Sequence, residues 1–183
     1  MPGERTLYRQ IQVVLDYVQA GNHSNFESLK EYIYSRSPTN FIYYYRNKET
    51  DKITFNYSRK SIGRVIQLCL DLELLRSGSL TATEKGSSAT DPRRFPLIIG
   101  KSVRDLFNTK HITLDLIHKA IKEIVANVDM RPPTADSLWE YLETFATDIE
   151  LDEFKRYMNL LGQCNILQMS QRRIYLPITN LEL

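Results

Sequence analysis

Moved along itself by 92 positions, the 183-residue chain meets a second version of its own pattern. Ile62 falls on Phe154, Val65 on Tyr157, Leu68 on Leu160 and Leu72 on Cys164, with Arg64 on Arg156. Leu74 then falls on Ile166 and Leu75 on Leu167. In both places the apolar residues recur at helical spacing, and the chain goes on as a strand, a polar tip and a second strand. Residue identity is low, so the weight rests on the order of elements as much as on hydrophobicity. A repeat of this size points to two small tandem units rather than one large core. A length of 183 residues is enough for both.

Each half is expected to hold three amphipathic helices. Leu7, Ile11, Val14, Leu15 and Val18 mark the first, which stops at Gly21. Ser24 to Glu27 has the form of a capping box and opens the second, with Phe26, Leu29, Tyr32 and Ile33 inward. Ser37-Pro38 ends it. Residues 41–57, FIYYYRNKETDKITFNY, predict an aromatic β-hairpin with a polar loop. Ser58 is placed to cap a third helix, with Ile62, Val65, Ile66, Cys69 and Leu72 on one face. Residues 79–83, 85–94 and 94–100 predict strand, Gly/Ser-rich tip and strand. In the second half, the stripes Leu114 to Val128, Leu138 to Phe145 and Leu151 to Leu161 predict three helices. ILQMS and IYLPI follow as a strand pair.

Three helices followed by a hairpin is the element order of the winged-helix variant of helix-turn-helix. The stretch LCLDLELLRSGSLTAT (68–83) resembles that family's junction between third helix and wing, and QCNILQMSQRRIYLP (163–177) resembles a second copy. The resemblance covers most of the chain and rests on loose hydrophobic patterns. It implies a mainly α chain with small β-hairpins (α+β), built as two tandem winged-helix domains. Residues 1–105 would form a basic domain carrying the inserted hairpin 41–57, and residues 106–183 an acidic one. That hairpin departs from the short turn the family usually has there. The implied partner is double-stranded DNA, with the third helix in the major groove and the wing on the backbone.

The charges agree with a division of labour. Residues 1–110 hold 17 Lys+Arg against 11 Asp+Glu, and residues 111–183 hold 7 against 11. On the outer side of the third helix lie Lys60, Arg64, Gln67 and Asp71, flanked by Arg59. Arg takes guanine bidentately and Gln takes adenine, while Ser58 at the helix start is placed to hold a phosphate. Lys85, Arg93 and Arg94 are expected on the wing, and Arg46, Lys48 and Lys52 on the aromatic hairpin, as backbone contacts. The sixth helix carries Asp152, Arg156, Asn159 and Gln163 with Glu150 and Glu153 nearby, a poor surface for phosphates. The second unit is therefore expected to bind protein, a copy of itself included, with Trp139 and Tyr141 as candidate anchors.

Other chemistry is weakly represented. No apolar run reaches the ~18 residues that span a bilayer, and MPGERTLYRQIQVVLDYV does not read as a secretory leader. Cys69 and Cys164 read as buried apolar residues. His111, Asp115 and His118 share a helical face but lack the HExxH form. Glu49, Asp51 and Lys52 are a remote nuclease candidate, sitting in a polar turn. No phosphate-binding glycine motif or nucleophile elbow occurs. The expectation is a non-enzymatic DNA-binding protein without metal or cofactor and without a membrane partner. Its expected compartment is cytoplasmic or nucleoid-associated, or nuclear in a eukaryote. A tandem winged-helix adaptor that binds no DNA is the alternative.

Overall fold

The computed structural model describes residues 6–21, 25–46, 53–57, 59–127, 133–144, 149–169 and 175–176, with 43–46, 53–57, 127 and 176 by backbone only. These residues form eight α-helices and two short antiparallel strand pairs. They divide into two compact units, Met1–Phe95 and Pro96–Leu183.

In the first unit, α1 (Leu7–Ala20) begins at Thr6, whose hydroxyl accepts the Arg9 amide. Helix α2 (Phe26–Arg36) begins at Asn25, which exchanges capping bonds with Ser28. The capping pair thus stands one residue beyond the Ser24/Glu27 pair expected from sequence, and Ser24 lies outside the described residues. A 3-10 turn (Pro38–Phe41) leads into β1 (Ile42–Arg46), which pairs with β2 (Ile53–Tyr57) in the register Tyr44 to Phe55. Helix α3 (Arg59–Asp71) follows. Ile11, Val14, Leu15, Leu29, Ile33, Phe41, Ile62, Ile66 and Cys69 are all fully buried, so the core lies between α1, α2 and α3.

The α+β expectation is corrected here: the chain is mostly helical. The largest departure follows α3. Only an isolated bridge, Leu75 to Ala82, pairs extended backbone there. The expected tip and second strand are instead α4 (Glu84–Ala89) and α5 (Phe95–Thr109). Two local causes account for this. Thr83 caps α4, accepting the Gly86 amide at 3.0 Å. On both sides of Gly100, the apolar residues Phe95, Ile99, Val103 and Phe107 keep a spacing of four, and all four are fully buried. RFPLIIG was therefore the first turn and a half of an amphipathic helix, with Pro96 in the first turn, where its missing N–H costs nothing. No wing follows α3.

The second unit holds α6 (Leu114–Asn127), α7 (Ala135–Glu143) and α8 (Leu151–Gln163) after α5. Thr134 and Ser137 form a capping box for α7. Strands β3 (Gln168–Met169) and β4 (Tyr175–Leu176) are two residues each, too short to make a layer. The Phe107 ring sits 5.9 Å from that of Phe154 and meets Tyr157 edge-on at 5.6 Å.

The 92-residue offset reappears in the backbone. Shifted by it, α3 (Arg59–Asp71) lands on α8 (Leu151–Gln163) end for end. Both helices close in the same way. Glu73 (φ 56°) and Asn165 (φ 58°) take the left-handed conformation. The Leu74 amide donates to the Cys69 carbonyl at 2.8 Å, and Ile166 donates to Leu161 at 2.9 Å. The Glu73 amide donates to Leu70 at 2.9 Å, and Asn165 donates to Gly162 at 3.2 Å. These are Schellman terminations, each bond matched by its partner 92 positions on. The same offset carries α1 close to α5 and α2 close to α6, so α7 stands in chain order where the first unit has β1–β2.

Two glycines test the packing in opposite senses. A Cβ on Gly63 would lie 3.6 Å from Lys30 and Phe26 side-chain carbons, an ordinary contact. Gly63→Ala is expected to stabilise the chain by about 0.5–1 kcal/mol through helix propensity. A Cβ on Gly86 would lie within 2.0 Å of the Leu74 carbonyl oxygen, which is backbone. Gly86→Ala is expected to destabilise by about 1–3 kcal/mol. Urea unfolding midpoints of the two variants check both signs.

Candidate nucleic-acid interface

Because α3 buries Ile62, Val65, Ile66, Leu68 and Cys69, its remaining positions must face away from the core. Arg59, Lys60, Arg64, Gln67 and Asp71 are all exposed. The face is not uniform. Lys60 and Arg64, one helical turn apart, have no ion-pair partner among the described residues. Arg59 is held: its Nε donates to both Glu31 carboxylate oxygens, at 2.7 and 3.0 Å, and its guanidinium lies 3.9 Å from the centre of the Tyr34 ring. The Glu31 hydrogen bond favours the charged guanidinium still further. Gln67 donates to Asp71 at 2.8 Å.

The residues assigned to a wing lie on α4 and in the turn before α5. Lys85 lies on α4 and bonds the Glu73 carboxylate at 2.9 Å. That contact holds the Glu73 carboxyl below its usual range. The Thr83 hydroxyl donates to the Glu73 carbonyl at 2.8 Å. Together they tie α4 to the end of α3, so Lys85 serves the fold. Arg93 and Arg94 are exposed in the turn before α5, and Arg94 lies 4.0 Å from Asp91. Ser58, Lys48 and Lys52, with Glu49 and Asp51, lie outside the described residues. Arg46 ends β1, where only its backbone is described.

In the second unit, Arg156 stands where the first has Arg64, but it is half-buried and its Nε is buried without a hydrogen-bond partner. Trp139 donates from Nε1 to the Ile149 carbonyl at 3.2 Å, and the Tyr141 hydroxyl donates to Glu123 of α6. That bond pushes the Tyr141 hydroxyl above its ordinary pKa. Both proposed interface anchors are thus half-buried and bonded within their own unit. Cys69 and Cys164 are buried, and burial pushes both thiols up, Cys164 to about 12, which leaves them protonated.

Sequence reasoning missed Glu31 and Tyr34, because their contact with Arg59 crosses 28 and 25 positions of chain. It also missed Lys101 and Arg104, exposed on α5. Their signal lies in the helical spacing of α5, which a strand over 94–100 hides. Among the described residues no helix is long and apolar enough to cross a membrane. Compared with protein-family models, with curated proteins and with solved structures, the chain matches none.

His111 and His118 are separated by environment. His111 is an exposed left-handed residue (φ 58°) at the end of α5, and His118 is buried in α6. Desolvation lowers the His118 pKa below 6.5. The unfolded chain therefore takes up this proton first, and stability is expected to fall as pH drops below about 6.5. Thermal unfolding between pH 7.5 and 5.5 should show this loss, and His118→Gln should flatten it.

Proposed function

We propose that the chain binds double-stranded DNA through the outer face of α3, as a regulator or as the DNA-targeting subunit of a larger assembly. The observation that supports this reading is the pair Lys60 and Arg64. Both are exposed, one turn apart, on a helix whose other side is buried, and neither has a carboxylate partner among the described residues. An α-helix with side chains is ~10–12 Å across and a major groove ~12 Å wide. A helix entering along this face would bring Lys60 and Arg64 to phosphates or guanine edges. Asp71 stands two turns beyond Arg64, at the end away from them. The unit around α3 carries 14 Lys+Arg against 10 Asp+Glu over residues 1–95, which favours approach to a polyanion.

In this reading the protein is a binding module and not an enzyme. The second unit serves protein contacts or self-association, and the compartment is the cytoplasm or nucleoid, or the nucleus in a eukaryote. A second reading, an adaptor that binds protein alone, draws support from the pairing of Arg59 with Glu31 and Lys85 with Glu73, and from the lack of a hairpin after α3.

Fluorescence anisotropy with a mixed-sequence duplex decides between them. Affinity is expected to fall with salt, at a log–log slope of about −0.9 per phosphate neutralised. Lys60→Ala with Arg64→Ala should flatten that slope by about 1.8. Arg156→Ala should leave it unchanged. No binding at low salt would favour the adaptor.

A further inference from the structure

The boundary between the compact units bears on the charge of the second. Drawn at Phe95/Pro96, it gives residues 96–183 three cations, Lys101, Arg104 and Lys110, and a total of 10 Lys+Arg against 12 Asp+Glu. Two of these cations lie together. The buried stripe of α5 is Phe95, Ile99, Val103 and Phe107. Opposite it, at 100° per residue, fall Leu97, Lys101, Arg104 and Asn108, and all four are exposed. Arg93 and Arg94 directly precede this stripe in the chain and are exposed as well.

The stripe has two properties of a contact surface, although exposed Asp105 shares its side, so that cations outnumber carboxylates there two to one. Lys101 and Arg104 have no ion-pair partner among the described residues. Leu97 is 76% exposed, and it is the one large hydrophobic residue so exposed among the described residues. From Leu97 to Asn108 the stripe runs roughly 16 Å at 1.5 Å per residue, enough for two or more phosphates of one strand.

We propose that this outer stripe of α5 is a second phosphate-contacting surface, carried by the second unit and engaging the backbone of a nucleic-acid duplex. Lys101 and Arg104 neutralise phosphates, Asn108 donates to phosphate oxygen, and Leu97 packs on the sugar edge between them. The proposal rests on the reading of the chain as a duplex-binding protein but not on α3. Charge complementarity offers one other occupant, the outer face of α7 in a second copy, with Asp136, Glu140 and Glu143 exposed at helical spacing. Asp136 is already bonded to Lys155 at 2.6 Å, which leaves that face with two carboxylates. Phosphate is the better match.

The test uses the full chain, with Lys101→Ala and Arg104→Ala together, beside the α3 pair Lys60→Ala and Arg64→Ala. The substituted side chains are exposed, and thermal melts confirm that the fold is retained. The α5 pair should weaken duplex binding at low salt roughly tenfold or more and flatten the salt slope by about 1.8, with four substitutions adding their effects. An unchanged slope in the α5 pair overturns the proposal and leaves the α3 reading standing. A loss in the α5 pair with none in the α3 pair supports this surface and removes α3. If light scattering shows the α5 pair converting a dimer to a monomer with no change in slope, a second copy is the occupant and the proposal fails. A wild-type chain that binds no duplex sinks both.

Discussion

Burial of one side of α3 against α1 and α2 is the constraint on which the first unit depends. Ile62, Ile66 and Cys69 are fully buried, and Val65 and Leu68 nearly so. Each side chain of this size contributes about 1.5–3 kcal/mol when removed from water. Rotating α3 about its axis would forfeit several of these at once. The face that carries Lys60 and Arg64 is therefore presented by the core itself, with no need for those residues to make contacts of their own. Gly63 lies on this helix facing Lys30 and Phe26 of α2, with room for a methyl group.

Where α3 stops matters as much as how it packs. The left-handed residue Glu73 turns the chain, its carbonyl takes the Thr83 hydroxyl and its carboxylate takes Lys85. Those bonds place α4 against the end of α3, with Gly86 too near the Leu74 carbonyl to carry a side chain. The space a wing would occupy in sequence is used for this junction. Asn165 closes α8 with the same hydrogen bonds 92 positions later, and there the chain continues into β3. Two copies of one helix ending have thus been put to different uses, and the matched arginines have diverged too, Arg64 exposed and Arg156 half-buried.

Much of the helical framework was legible. Strong amphipathic stripes, such as Ile11 to Val18 and Phe154 to Leu161, mark α1 and α8 because a period near 3.6 admits little else. The stretch 94–100 was misread because seven residues with β-branched content and a proline do not separate a strand from a helix start. Phe107, which completes the spacing, lies seven positions further on. Thr83 looked like the end of a strand and is a helix cap. The candidate interface was legible in part. Exposure of Lys60 and Arg64 follows from periodicity, whereas the neutralisation of Arg59 by Glu31 joins two helices and has no local signature.

Alternation of apolar and polar residues along one helix is enough to determine which residues of α3 face outward, and the order of elements along the chain is enough to suggest a repeat, because both can be read from spacing. The tertiary structure alone decided which outward cations are free. An ion pair between distant residues depends on how helices cross, and crossing is set by packing that no single segment encodes. It also decided that residues 95–109 are helical, because the burial of Phe95, Ile99, Val103 and Phe107 outweighed the strand preference of a short segment read by itself.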